Sequence, residues 1–240
     1  MIRSEDRPVC HRSSPGHHCE GCSVRPLAVC GALGPGELER LSRVSSSQRI
    51  AAGSCLIEEG EPAECVFTVL EGILKLYKLM PDGRRQVTGF LIPGDFVGLA
   101  FGESYIYTAE AVVEGAACRF TRNQFHRMME EFPALEGRLL SKVSTELAAA
   151  QEQMLLLGRK TARERLATFL LGLARRMNRS AGEQVRLPMG RADIADFLGL
   201  TVETVSRTFT AMRKAGYLST VDKHGVVITD LDRLREAAGD

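Results

Sequence analysis

The stretch GRADIADFLGLTVETVSRTFTAMRK, residues 190–214, decides how the C-terminal part of this chain folds. Its first half, Arg191 to Leu198, places Ile194, Phe197 and Leu198 on one side of a short amphipathic helix. Gly199 stands where a tight turn needs a positive φ, four residues after Ala195, whose small side chain lets two helices touch. Leu200 packs the corner, and Thr201 is placed to cap a second helix. In that helix Val202, Val205, Phe209 and Met212 form the inward stripe, leaving Glu203, Ser206, Arg207 and Thr210 on the outward side. Two helices joined this way form a helix-turn-helix, whose second helix enters the DNA major groove with its N-terminal residues against base edges. Arg207 suits bidentate bonds to guanine O6 and N7, Glu203 can accept from cytosine N4, and Ser206 is adaptable; Thr201 and Thr210 complete the DNA-facing set. Residues 217–221 and 226–228 then flank Asp222-Lys223-His224-Gly225, a hairpin that makes the motif winged and offers Lys223 to the phosphate backbone.

Charge agrees with that placement. The whole chain carries a net charge of only +1, yet residues 158–228 hold 13 Lys/Arg against 6 Asp/Glu, which leaves the remainder acidic. A basic C-terminal part on an acidic body is the footprint of a polyanion confined to one domain. Apolar residues make up 44% of the 240, enough for a packed core. No run approaches a membrane span, and the first residues lack the apolar stretch of a secretory signal. The expectation is a cytoplasmic protein without a membrane partner.

Working back from the motif, residues 161–177 read as a helix with Leu166, Phe169, Leu170 and Leu173 on one face, broken by Asn178-Arg179-Ser180-Ala181-Gly182. Before it, Pro133 opens a long helical segment. Leu140, Val143, Leu147, Ala150, Met154 and Leu157 are spaced alternately three and four residues apart, the a/d seam of a coiled coil. Polar residues surround the seam, which suits pairing with a second copy of the chain better than burial within one domain. From Gln48 to Phe125, glycines punctuate short apolar runs such as residues 67–70, 73–77 and 86–90, the pattern of an all-β barrel or roll. Pro81-Asp82-Gly83 is a hairpin turn by composition, and residues 36–44 form a short helix behind Pro35.

Residues 1–31 show no period and hold four of the seven cysteines. Cys19, Cys22 and Cys30 stand together near His17 and His18, and Cys118 lies far along the chain. An odd cysteine count without a secretory signal argues against a disulfide framework. Two thiols separated by two residues can bite one metal centre, and three close thiols with a distant fourth suit either zinc or an iron–sulfur cluster. Cys10 is an incidental or substitute ligand, and Cys55 and Cys65 read as small core hydrophobes.

The sequence resembles the Crp/Fnr regulators over essentially its whole length, and the oxygen-responsive Fnr branch most of all. Residues 199–207, GLTVETVSR, match the Fnr recognition helix nearly residue for residue. Val87-Thr88-Gly89-Phe90 with Gly94-Asp95 matches the family β-roll, and Met154-Leu155-Leu156-Leu157 with Glu164-Arg165-Leu166 matches the passage into its DNA-binding domain. The resemblance implies an α+β chain built from a cyclic-nucleotide-binding-like β-roll, a long dimerisation helix and a C-terminal winged helix-turn-helix domain. The expected divisions are a cysteine-rich cluster-binding arm at 1–31, the β-roll sensor at 32–132, the dimerisation helix at 133–158 and the DNA-binding domain at 159–240.

By the same resemblance Cys19, Cys22, Cys30 and Cys118 take the positions of the four [4Fe–4S] ligands, although seven residues separate Cys22 from Cys30, a longer gap than in some members. The implied protein is a homodimer that binds palindromes of TTGAT-like half-sites in double-stranded DNA while the cluster is intact, works with RNA polymerase, and loses DNA affinity when oxygen converts the cluster. Some Fnr-type proteins carry an Asp where this seam has Ala150. The family also contains cyclic-nucleotide receptors, which use a Glu and an Arg after Gly-Asp-Phe. Gly98-Leu99-Ala100 lacks that Glu and Tyr107-Thr108-Ala109 offers Tyr in place of the Arg, so no cyclic nucleotide is expected. The rival readings are the same fold without a cluster, sensing haem or thiol oxidation or constitutively active, and a cupin-like metal oxygenase. The oxygenase needs a His/His/carboxylate set inside the barrel, and His126 is the only histidine of the roll region, so an enzyme is not expected.

Overall fold

The computed structural model describes Cys19 and residues 21–99, 102–222 and 225–239, with backbone alone at 220–222. Cys10, His17, His18, Ala100 and Lys223 lie outside the described residues. The chain forms two compact units. The first joins the residues up to Leu74 with Leu91–Lys142, and the second joins Lys75–Phe90 with Val143–Asp240.

The first unit begins with the arm, which is more regular than its composition suggests. Turns at Cys22→Cys19, Arg25→Cys22 and Leu27→Val24 follow one another and lead into a 3-10 helix at Val29–Ala32. Val24, Ala28, Val29 and Leu33 are buried, so this half of the arm is packed against its own unit. Helix α1 (Pro35–Val44) starts one residue earlier than expected, with Pro35 as its first residue rather than just before it, and Glu37 Oε2 accepts the Gly34 N–H at 2.8 Å.

A six-stranded antiparallel sheet follows: β1 (Ser45–Ile50), β2 (Cys55–Ile57), β3 (Cys65–Leu79), β4 (Arg85–Leu91), β5 (Phe96–Val97) and β6 (Thr108–Thr121). The order β1-β6-β3-β4, with β2 on β6 and β5 on β3, is that of a roll. The apolar runs at 67–70 and 73–77 are not two strands but one. Gly72 bridges them at φ 82°, a conformation in which a turn signal and a continuous strand look alike in sequence. A Cβ on Gly72 would stand 2.9 Å from the Glu114 carbonyl, and one on Gly115 would stand 2.2 Å from the Glu71 carbonyl. The two longest strands therefore cross where neither carries a side chain. Inside, Val69, Leu74, Ala109, Ala117 and Phe120 are buried, and so is Phe125 of α2 (Arg122–Glu131), whose ring lies 5.0 Å from Phe96 and 5.6 Å from Phe120. Cys65 is buried, but Cys55 is exposed on β2, so only one of the two is a core residue.

Helix α3 (Pro133–Arg159) runs its expected length. In its first turns Leu135 and Leu139 are buried, and Arg138 donates to the Pro26 carbonyl of the arm at 3.2 Å.

The second unit holds the later turns of α3, then α4 (Ala162–Arg176), β7 (Gln184–Arg186), α5 (Arg191–Leu198), α6 (Val202–Lys214), β8 (Leu218–Asp222), β9 (Gly225–Ile228) and α7 (Leu231–Ala238). Thr161 and Glu164 form a capping box at the start of α4. Leu166, Leu170, Ile194, Leu198, Met212, Ile228 and Leu234 make a fully buried core. Strands β7-β9-β8 form the wing sheet. Among the described residues, no helix is long and apolar enough to cross a membrane.

Candidate nucleic-acid interface and thiol cavity

The turn between α5 and α6 is built as its sequence requires. Gly199 has φ 61° and ψ 42°, and the Leu200 N–H bonds back to the Ala195 carbonyl at 3.0 Å. Thr201 caps α6 by accepting from the Thr204 N–H at 3.1 Å. Val205, Phe209 and Met212 are buried along the inner face. Val202 is not, being 47% exposed: it occupies the first helical turn, before α6 reaches the body of the domain, so its place in the inward stripe is corrected. Glu203, Ser206, Arg207 and Thr210 are all exposed, together with Thr201. Arg207 and Glu203 form a 3.5 Å ion pair along one helix face. Ser206 Oγ and Thr210 Oγ1 donate to carbonyls one turn back, at 2.9 and 3.0 Å.

Aromatic rings hold further cations on this unit. The Arg191 guanidinium lies 3.5 Å over the Phe209 ring, and its half-burial lowers its pKa. The Tyr217 ring has the Arg163 guanidinium at 4.8 Å and that of Arg233 at 4.9 Å, and Arg163 also bonds the Tyr217 hydroxyl.

Behind the turn, α5 is clasped to the β3–β4 hairpin. Lys75 Nζ lies 3.0 Å from Asp193 Oδ1, and Arg85 Nη2 lies 2.7 Å from carboxylate oxygens of both Asp193 and Asp196. Gln86 Nε2 donates to the Asp196 carbonyl at 2.5 Å, and Phe90, Phe169 and Phe197 stack within 6.1 Å of one another. Burial works against the Arg85 charge, but Asp196 and Asp193 outweigh it and hold its pKa above the ordinary arginine value. Sequence reading saw the two aspartates only as the polar side of a helix; nothing local in the chain announces partners more than 100 residues away.

In the first unit, Cys19, Cys22, Cys30 and Cys118 line one cavity of about 220 Å³ with Val24, Val29 and Phe120 among their neighbours. Cys118 sits on β6 opposite Ser47 of β1, and the other three come from the turns of the arm. Ser42 and Ser45 hydrogen-bond the Cys19 thiol, and Ser45 also bonds that of Cys118. Burial pushes the Cys118 thiol up to about 12 and that of Cys30 to about 11, with the other thiols of the set adding to both, and burial raises Cys19 as well. Cys55 and Cys65 do not line this cavity. Among the described residues, no three His, Cys, Asp or Glu side chains are gathered as ligands of a single ion. A lone tetrahedral zinc would draw four sulfurs to about 2.3 Å from one centre, whereas a four-iron cluster takes one thiolate at each iron. Four thiols around one cavity are a donor set such a cluster would take.

Elsewhere on the roll, Tyr107 Oη accepts the Gly98 N–H at 3.1 Å and Thr108 Oγ1 accepts the Glu59 N–H at 3.1 Å. His126 is on α2, exposed and 3.4 Å from Glu130, and so stands outside the barrel interior that an oxygenase centre would need. Along α3 the seam positions Leu140, Leu147 and Met154 are 66, 59 and 66% exposed, Ala150 is exposed, and Val143 and Leu157 are half-buried.

Comparison with known proteins places these features. Residues 164–237 match the Crp-like helix-turn-helix domain, and residues 47–132 match the cyclic nucleotide-binding domain. The chain is 46% identical to the transcriptional activatory protein AadR of Rhodopseudomonas palustris, over 85% of this chain and 89% of that one. It is 40% identical to the transcriptional activator protein FnrL of Cereibacter sphaeroides, over 93% of each. The solved structure of FixK2 from Bradyrhizobium japonicum superposes with a TM-score of 0.76 at 37% identity, covering 81% of this chain and 97% of that one.

Proposed function

The chain belongs to the Crp/Fnr family of transcription regulators and is not an enzyme, and from that premise we propose that it is an oxygen-responsive activator whose signal is read by a [4Fe–4S] cluster. The observation that carries the proposal is the convergence of Cys19, Cys22, Cys30 and Cys118 on one cavity. These four would hold the cluster as thiolates, and the cluster would supply sensitivity to oxygen. Three of them belong to the arm, so ligation fastens the arm to β6, a case of metal-coupled ordering. The arm in turn touches α3 through Arg138 and the Pro26 carbonyl, which gives ligation a route to the helix that carries the seam.

The exposed apolar row of α3 supports a homodimer, with Leu147 and Met154 of one protomer covered by the other. Two copies of α6 then present Glu203, Ser206 and Arg207 to a palindrome of TTGAT-like half-sites in double-stranded DNA. Activation through RNA polymerase follows the reading carried by the activators AadR and FnrL, and the cytoplasm is where such a complex works. Tyr107, bonded to Gly98 where the receptors place their arginine, gives a cyclic phosphate no cation, so the roll serves the cluster rather than a nucleotide.

The test is anaerobic purification of the wild type with Cys118→Ser and Cys55→Ser. Wild type and Cys55→Ser are expected brown, with about four iron and four sulfide per subunit and bleaching in air, and Cys118→Ser colourless. One zinc per subunit in anaerobic wild type, or a cluster retained by Cys118→Ser, would sink the proposal.

A further inference from the structure

From the contacts of Arg165 we infer that this residue is the positioning residue that fixes the recognition helix against the dimerisation helix, and so sets the half-site spacing the protein accepts. The inference rests on the dimer and palindrome proposed above. Arg165 stands in the first turn of α4, and the hydrogen bonds of its guanidinium go to backbone carbonyls. Nε donates to the Lys160 carbonyl at 2.8 Å, Nη2 to Leu157 at 3.0 Å, and Nη1 to Leu198 at 2.8 Å and Gly199 at 3.4 Å.

The Leu157 and Leu198 carbonyls stand at helix C-termini, where the intrahelical ladder runs out. Leu157 is in the last turn of α3, Lys160 in its connector to α4, and Leu198 is the final residue of α5; each helix ends with unsatisfied C=O groups and a partial negative charge. One cation closes both ends at once. Gln153 adds a second tie by donating to the Phe197 carbonyl at 2.7 Å, again from α3 to the last turn of α5. The fit at the junction is close, since a Cβ on Gly199 would lie 3.1 Å from Leu157 Cδ2 and 3.4 Å from Arg165 Nη1. The guanidinium thus holds together a seam residue of α3 and the turn that aims α6.

A planar fork with five N–H donors can serve these four carbonyls; a lysine ammonium is a point charge that cannot span them. Arg165→Lys therefore keeps the charge and the fold while loosening the angle between the two helices. In a dimer that angle sets how far apart, and at what rotation, the two recognition helices stand. One added base pair turns a half-site by about 35° and moves it about 3.4 Å, so a rigid junction rejects it and a loose one tolerates it.

The experiment measures binding of the cluster-loaded full chain to a TTGAT-based palindrome, to the same palindrome with one base pair added or removed, and to a single half-site. Wild type, Arg165→Lys, Arg165→Gln and Gln153→Ala are compared, with circular dichroism for folding and sedimentation for the dimer. Wild type is expected to prefer one spacing, and Arg165→Lys to lose about tenfold of that preference, the middle of the range for residues that couple two sites. Its half-site affinity and its dimer are expected unchanged, and Gln153→Ala is expected to move the same way by less. A purely structural cap would weaken half-site and palindromes alike, and that result overturns the inference, as does a folded, dimeric Arg165→Lys that keeps full spacing selectivity. A wild type indifferent to spacing removes the palindrome reading and the inference with it. Should Arg165→Lys fail to fold, Gln153→Ala decides alone: unchanged selectivity there also overturns it.

Discussion

Asp193→Asn tests how α5 is held. The carboxylate is 14% exposed and faces Lys75 Nζ at 3.0 Å and Arg85 Nη2 at 2.7 Å, with the lysine only 8% exposed. Removing one member of a buried ion pair costs about 3–5 kcal/mol, most of it the stranding of the remaining charge. Here Arg85 keeps Asp196 at 2.7 Å and asparagine keeps one acceptor oxygen, so the expected loss is smaller, about 2–3 kcal/mol. For a chain of this length unfolding as one, that is a fall in Tm of about 4–12 °C. Calorimetry on Asp193→Asn, Lys75→Met and the double variant measures it. The double variant is expected to lose clearly less than the sum of the two singles, because Lys75→Met removes the ammonium that Asp193→Asn alone would leave stranded. Added salt should leave the single-variant deficit in place, since screening acts on exposed pairs. A fall under about 2 °C for Asp193→Asn, with the two single effects simply adding, would refute the clasp as a stabilising element.

Two further outcomes concern the DNA and dimer surfaces. Arg207→Ala is expected to lose about 1–3 kcal/mol at a guanine-containing half-site and to blur discrimination at that base, with little change in stability because its 3.5 Å pair with Glu203 is exposed; equal losses on specific and random DNA, by fluorescence anisotropy, would take it out of base reading. The seam has Ala150 among apolar neighbours, so air-exposed wild type is expected to remain partly dimeric at micromolar concentration while Ala150→Asp, which places two carboxylates face to face, makes the dimer depend on the cluster. Sedimentation reads both, and a clean wild-type monomer in air refutes the role given to the seam.

The parts of the fold visible in sequence were those with a short period or obligatory local chemistry. The α5–Gly199–α6 turn, the Thr201 cap and the length of α3 follow from spacing within a few residues. Strand β7 escaped because three residues carry no readable alternation. Helix α7 escaped although Asp230 caps it by accepting from the Asp232 and Arg233 N–H groups, and Leu234, Ala237 and Ala238 form its buried stripe; that signal was present and unused. The clasp on Asp193 and the carbonyl ties of Arg165 were beyond reach, because their partners are set by tertiary placement. For the thiols, Cys19 and Cys22 announce each other, but it takes the β1–β6 pairing to bring Cys118 to the same cavity and leave Cys55 outside it.

The paired glycines at the β3–β6 crossing have a consequence for how the roll assembles. Sliding one strand by a single residue would set Glu71 or Ile73 of β3, in place of Gly72, against the Glu114 carbonyl, where even a Cβ stands at 2.9 Å. The same slip would turn every core side chain of that strand to the wrong face. Only one alignment of the two longest strands can therefore close, because in a shifted pairing a side chain meets backbone at the crossing. The crossing also ties the two positions together in descent, since a side chain gained at either glycine leaves no partner substitution that restores the gap.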